Sequence, residues 1–100
     1  DWPVIPVDVM PNVKAAIAPL DLGEDWIDQT QTLHDTLASY THDNAWVEFN
    51  EDTKGKLVVG MAADLAIMSH DLTELAPHDV TTAKAVTAIC DGIVTYQKQV

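Results

Sequence analysis

Residues 54–69 read Lys-Gly-Lys-Leu-Val-Val-Gly-Met-Ala-Ala-Asp-Leu-Ala-Ile-Met-Ser, "KGKLVVGMAADLAIMS". Two short apolar runs, 56–60 and 63–69, lie between Gly55, Gly60 and a polar cluster that begins at Ser69. Short apolar runs bounded by turn residues predict strands. Further on, "AVTAIC" (85–90) and "IVTY" (93–96) flank Asp91-Gly92. Asp-Gly supplies the two positive-φ positions of a tight hairpin turn, so a β-hairpin is expected there. Between these segments, 70–80 reads as a loop.

Upstream the period changes. Thr32 followed by Asp35 resembles a capping box, with aspartate in place of glutamate. Leu33, Leu37 and Tyr40 recur at helical spacing, and Ala45 and Trp46 continue the same face, so one helix is expected over 32–46. "NEDTKGK" (50–56) is a polar turn centred on Gly55. Residues 9–18 form a short helix, with Asp8 as cap, Pro11 in the first turn and Pro19 as its stop. Residues 19–31 are a polar connection holding Trp26, and Pro3 and Pro6 keep residues 1–8 out of a helix. The chain is helical first and strand-rich second, with the joint near residue 50.

One hundred residues make a single domain at most. Sixteen acids against five lysines and no arginine give a net charge of −11. Nine of the acids, with one lysine, fall in residues 1–50. Such a surface repels phosphate backbones and anionic lipid, so neither nucleic acid nor membrane is an expected partner. No apolar run approaches the roughly 18 residues of a membrane span. No basic leader precedes an apolar stretch, and a cytoplasmic location is the expectation.

The residue types that carry chemistry are scattered. His34 and His42 are eight apart and His70 and His78 sit in or beside the polar loop, so no pair has the i,i+4 spacing of a zinc-binding helix face. Each reads as a solvated or capping histidine. Cys90, the lone cysteine, reads as a small buried apolar residue. Asp64 reads as a turn or strand-start residue. No Gly-rich phosphate loop, G-x-S-x-G elbow or CxxC is present. On composition and spacing alone, a free-standing acidic interaction module without catalysis fits as well as any enzyme.

Two segments resemble a known family. Gly55, Leu57, Gly60, Ala63, Asp64, Leu65, Ile67 and Met68 match the strand pair that follows the catalytic barrel in the amidohydrolase superfamily. "ICDGIVTY" (89–96) resembles the closing hairpin of the same superfamily. "DWPV" (1–4) then resembles the end of the last barrel strand in the amidohydrolase-3, N-substituted formamide deformylase-like branch, where the motif normally reads Gly-Ser-Asp-Trp-Pro; the Gly-Ser lead is missing here. Thr41, Asn44 and Ala45 loosely echo a Thr-x-Asn-x-Ala pattern of the last barrel helix.

The resemblance implies an α/β chain. Residues 1–50 would be the C-terminal end of a metal-dependent (β/α)8 barrel, and residues 51–100 the strands of a small composite β domain. It implies the C-terminal part of an enzyme that hydrolyses a small-molecule amide or other non-peptide C–N bond. Barrel enzymes build their sites at the C-terminal ends of their strands, which places Asp1 in the site as catalytic acid–base and metal ligand, with Trp2 and Pro3 at the pocket rim. The implied cofactor is a divalent metal, zinc, whose bound water is acidified to a nucleophile. The family's other ligands are not in this sequence, and catalytic zinc takes about three protein ligands. The chain alone is therefore expected to hold no tight metal and to be inactive, and to self-associate or to pair with the missing part of the barrel.

Overall fold

The computed structural model describes residues 2–99. Three helices precede a three-stranded antiparallel sheet: α1 (Met10–Ile17), α2 (Leu33–Tyr40), α3 (His42–Val47), β1 (Leu65–Met68), β2 (Ala85–Cys90) and β3 (Ile93–Gln97), in sheet order β1-β2-β3. Helices beside a small sheet make this an α/β chain. No helix among the described residues is long and apolar enough to cross a membrane.

Local chemistry sets each boundary. The Asp8 carboxylate accepts the Met10 N–H at 3.0 Å, Pro11 occupies the first turn of α1, and Ala18 leaves the helix with extended dihedrals just before Pro19. Thr32 caps α2: its Oγ1 accepts the Asp35 N–H at 3.0 Å and its hydroxyl donates to the Asp35 carboxylate at 2.7 Å. Asp91 and Gly92 both take positive φ, 49° and 77°, in the tight turn between β2 and β3, as the Asp-Gly pair predicts.

The core crosses the middle of the chain. Met10, Val13 and Ile17 on one face of α1 pack against Val80 and Ala83 in a buried cluster. Leu33, Met68, Leu72 and Leu75 close over it from the sides.

Four sequence expectations are corrected. Residues 32–46 are not one helix: Thr41 breaks the path at φ −124°, ψ −97°. Its hydroxyl donates back to the Leu37 carbonyl at 2.8 Å, a bond that bends helices. The break rotates α3 so that Ala45 is buried and Trp46 is 65% exposed, off the face of Leu33 and Leu37. Residues 56–60 are not a strand: the Met61 N–H donates to the Val58 carbonyl at 3.1 Å in a turn that uses Gly60 at φ +96°. The run is apolar enough for a strand but has no ladder partner among the described residues, and Leu57 and Val59 stand exposed. The segment 70–80 is not irregular throughout. It holds a 3-10 turn at Leu72–Glu74 and the start of a second, Pro77–Thr82, which delivers Val80 to the core. Cys90 is exposed at the end of β2, where the ladder runs out into the turn.

Candidate functional site

Asp1, the carboxylate on which the sequence reading rests, lies outside the described residues. Trp2 and Pro3 begin the described chain in a turn, and Trp2 is 71% exposed. Neither lines the open groove of 970 Å3 that α1, the α2–α3 break and β1 bound.

The groove is mostly apolar. Met10 and Val13 form its floor, Leu37 and Tyr40 one wall, and Leu65 and Met68 the other. Asp8, Glu48, Lys54, Lys56 and Asp64 bring charge to its lining, and three of them form ion pairs. Glu48 meets Lys54 at 2.5 Å across the turn that follows α3. The Lys54 ammonium holds the Glu48 carboxyl below the usual range, and Glu48 in return raises Lys54.

Lys84 Nζ donates to Asp8 Oδ2 at 2.6 Å, joining the start of α1 to the start of β2 across 76 residues. The Lys84 bond first, and the Met10 N–H second, hold the Asp8 carboxyl below its ordinary value of 3.8. A depressed carboxylate contributes stability above its unfolded value and loses it as pH falls through the folded one. Acidification below about pH 4 is therefore expected to loosen α1 from β2 by a modest amount, because exposed pairs are worth at most about 1 kcal/mol. Urea midpoints of the parent and of Lys84→Met at pH 7 and pH 3 check this. Part of the parent's acid sensitivity should vanish in the variant, and identical pH dependence in both would refute the assignment. The sequence offers Asp8 as the cap of α1; the cap position is Val9, and Asp8, one residue earlier, bonds the Met10 N–H instead, while its partner Lys84 was hidden because nothing local links residues 8 and 84. The Glu48–Lys54 pair, six residues apart across a turn, matches no helical spacing and was equally hidden.

The Ala-Asp-Leu segment has a clear structural role. Asp64 Oδ1 accepts the Asp91 N–H at 2.7 Å, and the Ala63 carbonyl accepts the Gly92 N–H at 3.0 Å. The start of β1 is thus latched onto the hairpin turn, which is the strand-start role the sequence suggests. Asp64→Ala strips the Asp91 amide of its acceptor and is expected to cost about 1 kcal/mol. Asp64→Asn, which keeps an oxygen there, should cost less. Chemical denaturation of the two variants tests the order, and an Asp64→Ala variant as stable as the parent would mean that the latch contributes nothing.

The histidines stay apart. His34, His70 and His78 are exposed; the His70 ring bonds Ser69 Oγ at 2.8 Å and the His42 ring contacts Asp43 at 2.7 Å. Among the described residues no three of His, Cys, Asp or Glu converge on a point that could hold a metal ion. The described side chains thus do not fit a divalent metal by themselves.

Residues 1–96 match the Amidohydrolase family, and the chain belongs to that family of hydrolases. No curated protein and no solved structure matches it.

Proposed function

We propose that this chain is the C-terminal part of a metal-dependent amidohydrolase that cleaves a non-peptide carbon–nitrogen bond, in the N-substituted formamide deformylase-like branch. The family match over residues 1–96 carries the reading. In it, residues 1–50 end the last strand of a (β/α)8 barrel and supply its terminal helices, and residues 51–100 supply strands of a small β domain. Asp1 contributes one carboxylate at the strand end, where it accepts a proton from the attacking water and returns it to the leaving nitrogen. Trp2 and Pro3 shape the pocket rim. The divalent metal, zinc in this reading, supplies acidification of water and is held chiefly by residues beyond this chain. The substrate is a small-molecule amide, and the site is cytoplasmic.

A single carboxylate falls short of the roughly three protein ligands that catalytic zinc needs, so the 100-residue chain is inert on its own. The complete enzyme and the chain, assayed side by side on N-formyl and N-acyl amines, test this. Turnover is expected from the complete enzyme only, lost on chelation and restored by zinc. Hydrolysis by the chain alone, or a complete enzyme inert toward every amide, would overturn the reading.

A further inference from the structure

The tight turn between β2 and β3 carries a reactive pair. Asp91 is followed by Gly92, and both residues are exposed. A backbone amide nitrogen can attack the side-chain carboxyl of the residue before it, and glycine, with no Cβ, offers the least crowded nitrogen. Nothing lies within 4 Å of where a Gly92 Cβ would stand, so no neighbouring side chain shields that nitrogen. Sterically the pair is open to reaction.

The reaction is a condensation followed by a hydrolysis. The Gly92 nitrogen bonds to Asp91 Cγ, its proton and the hydroxyl of the protonated carboxyl leave as water, and a five-membered succinimide closes. Water then reopens the ring. Opening at Cγ restores aspartate. Opening at the Asp91 main-chain carbonyl leaves the chain running through Cβ and Cγ, as isoaspartate. Water is the sole co-reactant, and nothing is oxidised or reduced.

The fold opposes the first step through geometry. Ring closure needs the Gly92 nitrogen to come round until it nearly eclipses Asp91 Cβ. Asp91 sits instead in the left-handed region at φ 49°, where ψ is about +47°. For an L residue that ψ sets the next nitrogen nearly anti to Cβ. The 91–92 peptide must therefore turn over by almost half a revolution before the ring can close.

Two hydrogen bonds resist that rotation. The Gly92 N–H donates to the Ala63 carbonyl at 3.0 Å, and the Asp91 N–H donates to Asp64 Oδ1 at 2.7 Å. The first bond cannot survive the turning of the peptide, and the second pins the residue about which it turns. Both acceptors belong to the two residues that precede β1.

We propose that Asp91-Gly92 is a site of isoaspartate formation gated by the start of β1: the pair reacts while residues 63–64 are detached from the turn and is held unreactive while they are attached. The product adds a methylene to the main chain of a two-residue turn that pairs Cys90 with Ile93, so the native latch does not re-form on it. Local openings of this kind occur without global unfolding. The assignment rests on the turn and its latch, independently of the hydrolase reading.

The test ages the full-length protein beside a free peptide of residues 86–97, at physiological temperature and pH with reductant present. Isoaspartate at Asp91 is counted by peptide mapping with electron-transfer fragmentation. The peptide is expected to isomerise at least about tenfold faster, because a latched turn is open in only a small fraction of molecules. Asp64→Ala should speed the protein about fivefold, the factor that one lost hydrogen bond gives. Asp64→Asn, which keeps an oxygen for the Asp91 N–H, should stay near the parent. If Asp64→Ala does not fold, urea concentrations below the unfolding transition decide with the parent alone: isoaspartate must rise in step with deuterium exchange at the amides of Asp91 and Gly92. Equal rates for protein and peptide, an Asp64→Ala variant that ages no faster than the parent, or isomerisation that does not follow amide exchange overturns the proposal.

Discussion

Replacing Asp1 with Asn in the complete hydrolase is expected to lower kcat at least a hundredfold, within the roughly 10²–10⁴ range that a positioned acid–base group supplies. The substitution keeps the shape of the side chain and one oxygen that can still coordinate, but it removes the capacity to hold a proton. A carboxylate can take up a proton and release it again, which an amide cannot. Loss confined to proton transfer leaves substrate binding intact, so KM should change little while kcat and kcat/KM fall together. Steady-state kinetics on an N-formyl amine, with metal content measured in both proteins, separate this from loss of the metal. A variant with full metal and near-parental kcat would remove Asp1 from the chemistry.

The elements governed by local chemistry were legible in the sequence. Asp8 with Pro11, Thr32 with Asp35, and Asp91-Gly92 each specify a boundary through bonds to backbone only a few residues away, and α1, α2 and the hairpin stand where those signals put them. What failed depended on distant partners. "KLVVG" is apolar and β-branched, but a strand exists only where a neighbour pairs with it, and composition carries no record of that neighbour. The path of α2 breaks at Thr41, whose hydroxyl donates back to the Leu37 carbonyl, and Trp46 falls on the far side of that break. Cys90 has strand neighbours on both sides of its sequence position and still lies exposed, because the ladder ends there.

The candidate site divides along the same line. Family resemblance points to Asp1 through a short motif, whereas the Glu48–Lys54 and Asp8–Lys84 pairs join residues whose proximity only folding creates. The Ala-Asp-Leu motif shows how the two kinds of information meet. A pattern read as a family mark becomes, in three dimensions, a carboxylate bonded to an amide 27 residues away.

Gly55 and Gly60 look interchangeable in "KGKLVVG", and their substitution by alanine is expected to separate them. Both adopt positive φ, 94° and 96°, so each Ala variant carries a left-handed backbone cost of about 1–2 kcal/mol. At Gly60 nothing lies within 4 Å of the added Cβ, and the cost ends there. At Gly55 the Cβ would stand 2.8 Å from the Ala45 Cβ, 2.9 Å from the His42 Cα and 3.2 Å from the Thr41 carbonyl oxygen. Two of those three atoms are backbone and Ala45 is buried, so no flexible side chain can swing aside. Relief requires the 50–56 turn to lift off the α2–α3 break, at a further cost of about 1–3 kcal/mol. Gly55→Ala is thus expected to lower stability by about 3 kcal/mol in total, a large share of the roughly 5–15 kcal/mol that holds a small domain together. Thermal melts should place it well below Gly60→Ala, by about 4–8 °C for each kcal/mol of difference. The shared left-handed term cancels in that comparison, leaving the contact alone as the quantity measured. Equal midpoints for the two variants would mean that the added Cβ at Gly55 meets no effective resistance from Ala45, His42 or Thr41.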